Sequence, residues 1–266
     1  MARSGQSEAS IADNSGSPHL SLVVPALNEA RRLPLTLKRL HEYLSRQPYG
    51  WEIIVVSNGS SDETDAVVRE ASEWLPNLEL ITLSQRGKGR AVREGALHSR
   101  GDVVFICDAD LSMPPETLAK FLDAATEADV VVGSREASGA RRYGEPPYRH
   151  FMGRVFNRIV QLLAVPGVRD TQCGFKAFRR PAAFELMNRQ TINGWGFDVE
   201  LLYLARKYGY RIKELGIEWY FDADTRVRPG SDTLSMLGEV LMIRLRDLRG
   251  GYRREELAVP GDDRVR

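Results

Sequence analysis

Two aspartates define the chemistry this sequence can do. Asp108 and Asp110 stand at i and i+2, directly after the apolar run at 103–107. Alternate residues leaving a strand point to the same side, so both carboxylates can meet one small ligand. Left alone, two such charges repel and one takes up a proton. A hard divalent cation resolves the conflict. Mg2+ or Mn2+ prefers oxygen ligands and completes its shell with substrate phosphates and water. The plainer reading is a turn whose aspartates cap the next helix, since Asp is common in turns.

A second cluster is cationic. Arg86-Gly87-Lys88-Gly89-Arg90 opens a helical stretch, where backbone N–H groups and basic side chains suit a diphosphate. No Ser or Thr follows Lys88, so it is not a P-loop, and Val92 stands where a dinucleotide fingerprint needs glycine. Alone, it reads first as a Gly-rich turn with solvated charges, and only its neighbours favour the diphosphate. Pro25-Ala26-Leu27-Asn28-Glu29 and Asn58-Gly59-Ser60-Ser61-Asp62 have the residue types of helix caps and turns. Farther on, Arg169 to Lys176 is polar between structured segments, reading as a loop or an edge strand. Gly194-Trp195-Gly196 suggests a tightly bent or mobile loop before Asp198, which can cap the next helix.

The elements that must position these groups alternate regularly. Strands are expected over 20–25, 51–56, 78–83, 102–107 and 128–133. Helices are expected from 29 to about 45, over 62–74 with Ser60 or Ser61 as N-cap, over 88–99, and from Pro114 onward. Repeated βα units imply an α/β fold: a mostly parallel central sheet with right-handed crossovers, flanked by helices on both faces. In such sheets ligands bind beyond the carboxyl ends of the strands. The loops after the first four strands carry all four of the earlier clusters, which places them on one rim. The second half is less regular, with helices at 148–163, 197–208 and 234–248 and a strand at 211–219.

Composition excludes several classes. A chain of 266 residues, 42% hydrophobic and 27% charged, fits one large globular domain, expected over 19–250 between loose tails at 1–18 and 251–266. A net charge of +1 gives no global pull toward nucleic acid. Cys107 and Cys173 belong to no CxxC or Cys/His cluster, which argues against zinc and against a disulfide framework. No apolar stretch reaches the length of a membrane span, and the N-terminus has no secretory h-region, so a cytoplasmic location is expected. Leu234, Leu237, Leu241, Leu245 and Leu248 form a stripe on the last helix beside Arg244 and Arg249. The stripe is expected to pack on the core; the alternative is peripheral contact with an anionic membrane face.

The first four motifs, in this order, resemble the family 2 glycosyltransferases of the GT-A fold, a Rossmann-like nucleotide-diphospho-sugar transferase fold. Asp170-Thr171-Gln172-Cys173-Gly174-Phe175-Lys176 and Trp195-Gly196-Phe197-Asp198-Val199-Glu200-Leu201 resemble the dolichyl-phosphate β-glucosyltransferase branch. The resemblance spans about residues 20–249. It implies an inverting, metal-dependent hexosyltransferase that moves glucose from UDP-glucose to a polyprenyl phosphate. Pro25, Ala26, Asn28, Glu29, Asn58, Arg86, Lys88, Asp108, Ala109 and Asp110 would then hold the donor, with Asp108 and Asp110 as the DxD motif on Mg2+ or Mn2+. Gln172, Lys176 and Trp195 of the later motifs would hold the acceptor, and the basic local composition adds Arg135, Arg149 and Arg141 as candidates for its phosphate. Asp198 or Asp170 would be the base where the acceptor is a hydroxyl; an anionic phosphate acceptor needs none. The sequence departs from the family where Asp-Asp often precedes Gly-Ser, having Ser57-Asn58 instead, which loosens the implied base preference. A soluble hydroxyl acceptor, GDP-mannose as donor, and a nucleotidyltransferase remain the competing readings.

Overall fold

The computed structural model describes residues 17–224 and 231–254. The expected tail at 1–18 lies almost wholly outside the described residues, as does the part of the C-terminal segment beyond 254.

The first half follows the βα alternation: β1 (Leu20–Ala26), α1 (Leu33–Leu44), β2 (Trp51–Asn58), α2 (Thr64–Ser72), β3 (Leu78–Leu83), α3 (Lys88–His98), β4 (Val103–Ile106), a 3-10 turn (Pro115–Thr117) running into α4 (Leu118–Ala124), and β5 (Val130–Ser134). Then come β6 (Arg141–Tyr143), α5 (Pro147–Leu163), β7 (Lys176–Arg179), α6 (Arg180–Arg189), α7 (Phe197–Lys207), β8 (Ile212–Gly216), β9 (Glu218–Tyr220) and α8 (Ser231–Leu248). Helix α1 starts later than its sequence suggests. Pro34 suits its first turn, and residues 29–32 form a turn in which Arg32 and Leu33 donate to the Glu29 carbonyl. Neither Ser60 nor Ser61 caps α2. Glu63 holds the cap position without a side-chain cap, and Asp62 before it accepts from the Thr64 amide and hydroxyl.

Seven strands form one sheet in the order β3-β2-β1-β4-β7-β5-β8. The pairs among β1, β2, β3 and β4 are parallel, whereas β7 is antiparallel to both β4 and β5. The segment 169–176 is therefore neither a simple connection nor an edge: it feeds a central strand. The expected strand at 211–219 is two strands, because β8 joins the main sheet while β9 pairs with β6.

Alternation along the strands divides the core. Leu22, Val24, Val55 and Phe105 pack with α1, α2 and α4 on one face. Val23, Ile54, Val104 and Ile106 pack with α3 and with α5 to α8 on the other. Burial on this scale, with strands apolar on both faces, fixes the register of β1, β2 and β4 and so holds their carboxyl ends level.

The leucine stripe on α8 departs from expectation. Leu234, Leu241, Leu245 and Leu248 are exposed and only Leu237 packs partly inward. Met236, Val240 and Ile243, on the opposite side, fill the core position instead. The packed domain also continues past residue 250: Tyr252 is buried and its hydroxyl donates to Glu200 at 2.5 Å.

Candidate active site

The rim predicted from four strand ends exists, and two asparagines sew it together. Asn58, at the end of β2, donates to the Ala26 carbonyl at 2.8 Å and accepts from the Gly87 amide at 3.1 Å. Asn28 accepts from the Ser61 amide at 2.7 Å, and its own amide donates to Ser60 Oγ. Asn28 sits at φ +55°, a left-handed conformation that Asn tolerates better than most residues. The Asn58 amide thus ties β1, β2 and the loop after β3 into one platform.

At its centre, Lys88 Nζ lies 2.6 Å from Asp108 Oδ1 and 5.5 Å from the ring of Trp195. Burial alone lowers the proton affinity of the Lys88 ammonium, but the nearby charges of Asp108, Asp198 and Asp110 outweigh it and raise it. Asp110 shows the opposite effect: burial, then the charge of Asp108, pushes its carboxyl up. Asp110 Oδ1 accepts from the Ser112 amide and hydroxyl at 3.0 and 2.8 Å. Thr36 of α1 donates to the Ala109 carbonyl at 2.6 Å and so anchors the turn between the two aspartates. Leu111 follows at φ +46°, costly for a bulky residue and typical of strain held at a working site.

Two carboxylates with a like-charge conflict that one lysine only partly relieves are a fitting donor set for Mg2+ or Mn2+. They could supply part of a coordination shell, the rest being left to phosphate oxygens and water. Among the described residues no cluster of three or more His, Cys, Asp or Glu offers a complete shell.

The glycines of the cationic loop have a different task from the one expected. The amides of Gly89 and Arg90 both point to the Asn193 carbonyl, at 3.0 and 3.4 Å, so this helix start does not offer them to a diphosphate. A Cβ on Gly89 would press on the Ile192 carbonyl and Phe197, and one on Gly87 on the Asn193 carbonyl. Gly87 and Gly89 therefore allow the 190–197 loop to close on α3. The cationic groups left on this loop are the side chains of Lys88, paired with Asp108, and Arg86, which reaches toward the Gly59 carbonyl.

The residues after β5 are held in ion pairs. Asp170, with its side chain only 3% exposed, takes a two-pronged interaction from Arg135 at 2.7 and 2.9 Å. Burial pushes the Asp170 carboxyl up, but the charge and hydrogen bonds of Arg135 hold it down at about 2. So weak a proton acceptor is a poor general base, contrary to the role assigned from sequence, and Arg135 is committed to Asp170 rather than free for an acceptor phosphate. Lys176 is fully buried, contrary to its expected acceptor contact; it donates to Asp198 Oδ1 at 2.6 Å and to the Cys173 carbonyl. Burial raises the Asp198 carboxyl, with Lys176 and then Lys88 opposing. Arg149 packs over the Phe221 ring, Arg141 stays exposed near Glu218, and the Gln172 amide reaches Met236 of α8.

Two features escaped the sequence. Gly174 lies against the Asp108 carboxylate so closely that a Cβ would overlap it. A cavity of about 700 Å3 opens beside Asp110 and Ser112, with Arg39 and Tyr43 of α1, Arg46 just beyond it, and Tyr220 in its wall. Its size falls in the range of small-molecule sites. The fold sets Arg39 and Arg46 in the wall of the same cavity as Asp110.

The architecture recurs in solved glycosyltransferases. A glucosyl-3-phosphoglycerate synthase from Mycobacterium tuberculosis, in complex with Mn2+, UDP-glucose and phosphoglyceric acid, superposes with a TM-score of 0.64 at 17% identity, covering 94% of this chain and 86% of that one. A Pyrobaculum calidifontis mannosyltransferase in complex with GDP-Man and Mn2+ gives a TM-score of 0.58 at 24% identity, covering 88% and 66%. The fold is the GT-A fold of glycosyltransferases. The model of glycosyl transferase family 2 matches residues 21–186. A dolichyl-phosphate beta-glucosyltransferase of Trichomonas vaginalis is 35% identical over 223 residues, 79% of this chain and 66% of that protein. The human dolichyl-phosphate beta-glucosyltransferase is 35% identical over 263 residues, 91% of this chain and 80% of that protein. The chain belongs to glycosyltransferase family 2.

Proposed function

We propose that this protein transfers a hexosyl group, glucose, from UDP-glucose to the phosphate of a polyprenyl lipid of the dolichyl type, with inversion at the sugar and with Mg2+ or Mn2+ as cofactor, at the cytoplasmic face of a membrane. The acceptor phosphate oxygen attacks C1 of the sugar, the bond from C1 to the donor diphosphate breaks, and the nucleoside diphosphate leaves with the electron pair. Asp108 and Asp110 would hold the metal, which when bound would supply positive charge to the departing diphosphate. Lys88 and Arg86 add fixed positive charge on the same side, and the platform tied by Asn28 and Asn58 orients the nucleotide.

The observation that carries this reading is that both candidate bases are already engaged. Asp170 is clamped by Arg135 and Asp198 by Lys176. A hydroxyl acceptor needs a base to take its proton; a phosphate acceptor arrives as an anion and needs none. The names of the relatives support the same acceptor and sugar.

The test is a panel of UDP- and GDP-sugars incubated with Mn2+ or Mg2+ and a short-chain polyprenyl phosphate, with nucleoside diphosphate release as readout. Release from UDP-glucose that requires the lipid phosphate and falls at least 100-fold in Asp110→Ala supports the proposal. Lipid-independent release points to a soluble acceptor, and preference for GDP-mannose changes the donor. Pyrophosphate formed from nucleoside triphosphate and sugar phosphate would overturn it.

A further inference from the structure

Eleven of the fifteen exposed large hydrophobic side chains among the described residues lie on just two helices, α5 and α8. On α5 they include Tyr148, Val155, Ile159 and Leu162, spaced i, i+7, i+11 and i+14, which is one helical face. The exposed leucines of α8 repeat the same spacing from Leu234 to Leu248. The four outermost side chains are far out of the protein: Phe151 is 70% exposed, Leu162 78%, Leu234 72% and Leu248 80%. The two helices pack against each other, so the stripes occupy adjoining surface. Scattered apolar residues need no explanation, but this concentration on one helix pair marks an interaction site.

Charge identifies the occupant. Helix α5 carries Arg149, Arg154 and Arg158 and no acidic residue. On α8 the described acidic groups turn inward: Glu239 accepts from the Gly196 amide at 2.7 Å, and Asp247 pairs with Lys207 at 2.6 Å. Arg244 and Arg249 remain exposed. A surface that shows apolar and cationic groups while withdrawing its carboxylates fits an anionic bilayer, where side chains enter the acyl boundary and arginines meet the headgroups. A protein partner of mixed charge would gain nothing from this sorting.

We infer that the α5–α8 face is a docking surface for anionic phospholipid membranes, through which the protein sits on a bilayer without spanning it. The same α8 that offers the outer stripe holds the Gly194-Trp195-Gly196 loop through Glu239, and Trp195 lies over Lys88. Helix α8 thus links the docking face to the loop beside Lys88. The inference rests on exposure and charge and does not require the acceptor or sugar proposed above.

The test is sedimentation of the full chain with phosphatidylcholine vesicles and with vesicles containing 30% phosphatidylglycerol. We expect at least a tenfold stronger association with the anionic vesicles, weakened by salt. Replacing Phe151, Leu162, Leu241 and Leu248 together by Glu is expected to abolish it. All four are exposed, so an unchanged unfolding transition and unchanged UDP-sugar binding identify a folded variant. Arg154→Glu with Arg158→Glu provides a second variant, expected to lose the anionic preference. Failure of the wild type to associate with either vesicle, equal association of the variants, or a wild-type dimer that the fourfold variant dissociates would each overturn the inference. UDP-sugar binding and donor hydrolysis, read without lipid, report separately on the catalytic proposal.

Discussion

Gly174 is packed against the Asp108 carboxylate with no room for a methyl group between them. The contact joins the two halves of the chain at the metal-binding candidate: Asp108 leaves β4, while Gly174 precedes β7, the strand beside it. Gly174→Ala should drive the Asp108 side chain away from Asp110. The expected result is a tenfold or greater loss of Mn2+ affinity in the presence of UDP, measured by calorimetric titration, with a stability cost of about 1–3 kcal/mol for overpacking. Unchanged Mn2+ binding in a folded Gly174→Ala protein would remove Asp108 from the metal site.

Lys176 and Asp198 form the most deeply buried ion pair at the site, with side chains 0% and 8% exposed. Removing one partner leaves a charge without compensation, so Asp198→Ala should cost about 3–5 kcal/mol in denaturant unfolding. Replacing the pair together, Lys176→Met with Asp198→Leu, should recover much of that loss. A stability deficit shared by Asp198→Ala and Lys176→Met, and relieved in the double variant, identifies the pair as structural. A general base would instead show normal stability with lost turnover.

The first half of the fold was legible because its signals are local. β1, β2 and β4 are largely apolar runs with Asn or Asp at or just after their ends, and the parallel arrangement follows from the alternation with helices. Strand β7 was hidden because Lys-Ala-Phe-Arg reads as a polar segment. Its place between β4 and β5 depends on Asp198, 22 residues on, to neutralise Lys176. The α8 stripe was misjudged for another reason. Leucines at helical spacing look the same whether they face core or surface, and Met236, Val240 and Ile243 on the other side decided which face turned inward. At the site, residue types singled out loops that the fold gathers on one rim. They did not reveal that the Gly89 and Arg90 amides are taken by Asn193, or that both spare aspartates are clamped.

The Arg135–Asp170 pair predicts a specific acid sensitivity. The folded carboxyl is held at about 2, below its ordinary 3.8. A depressed carboxyl contributes stability in full above its unfolded value and loses it as pH falls toward the folded one. The window is therefore about pH 4 down to pH 2, and the contribution is about 2 kcal/mol for this buried group. Urea unfolding at pH 5, 4 and 3 should show a steeper decline for the wild type than for Asp170→Asn. Parallel declines would show that the pair adds no net stability.

Glu239 offers a readout of the loop that carries Trp195. Its carboxylate accepts the Gly196 amide at 2.7 Å, and a Cβ on Gly194 or Gly196 would collide with it. The two glycines therefore exist to let α8 grip the loop. Glu239→Ala should free the Gly196 amide at a cost of about 1–2 kcal/mol and loosen Trp195 from Lys88. The tryptophan emission should shift to the red, and the shift should vanish in a Trp195→Phe background, which leaves the other three tryptophans as controls. If Lys88 binds the donor as proposed, loss of the ring over its ammonium should also raise the KM for the donor more than it lowers kcat. An unshifted emission spectrum in Glu239→Ala would mean that the loop is held by its contacts to α3, through Asn193 and Gly89, and not by α8.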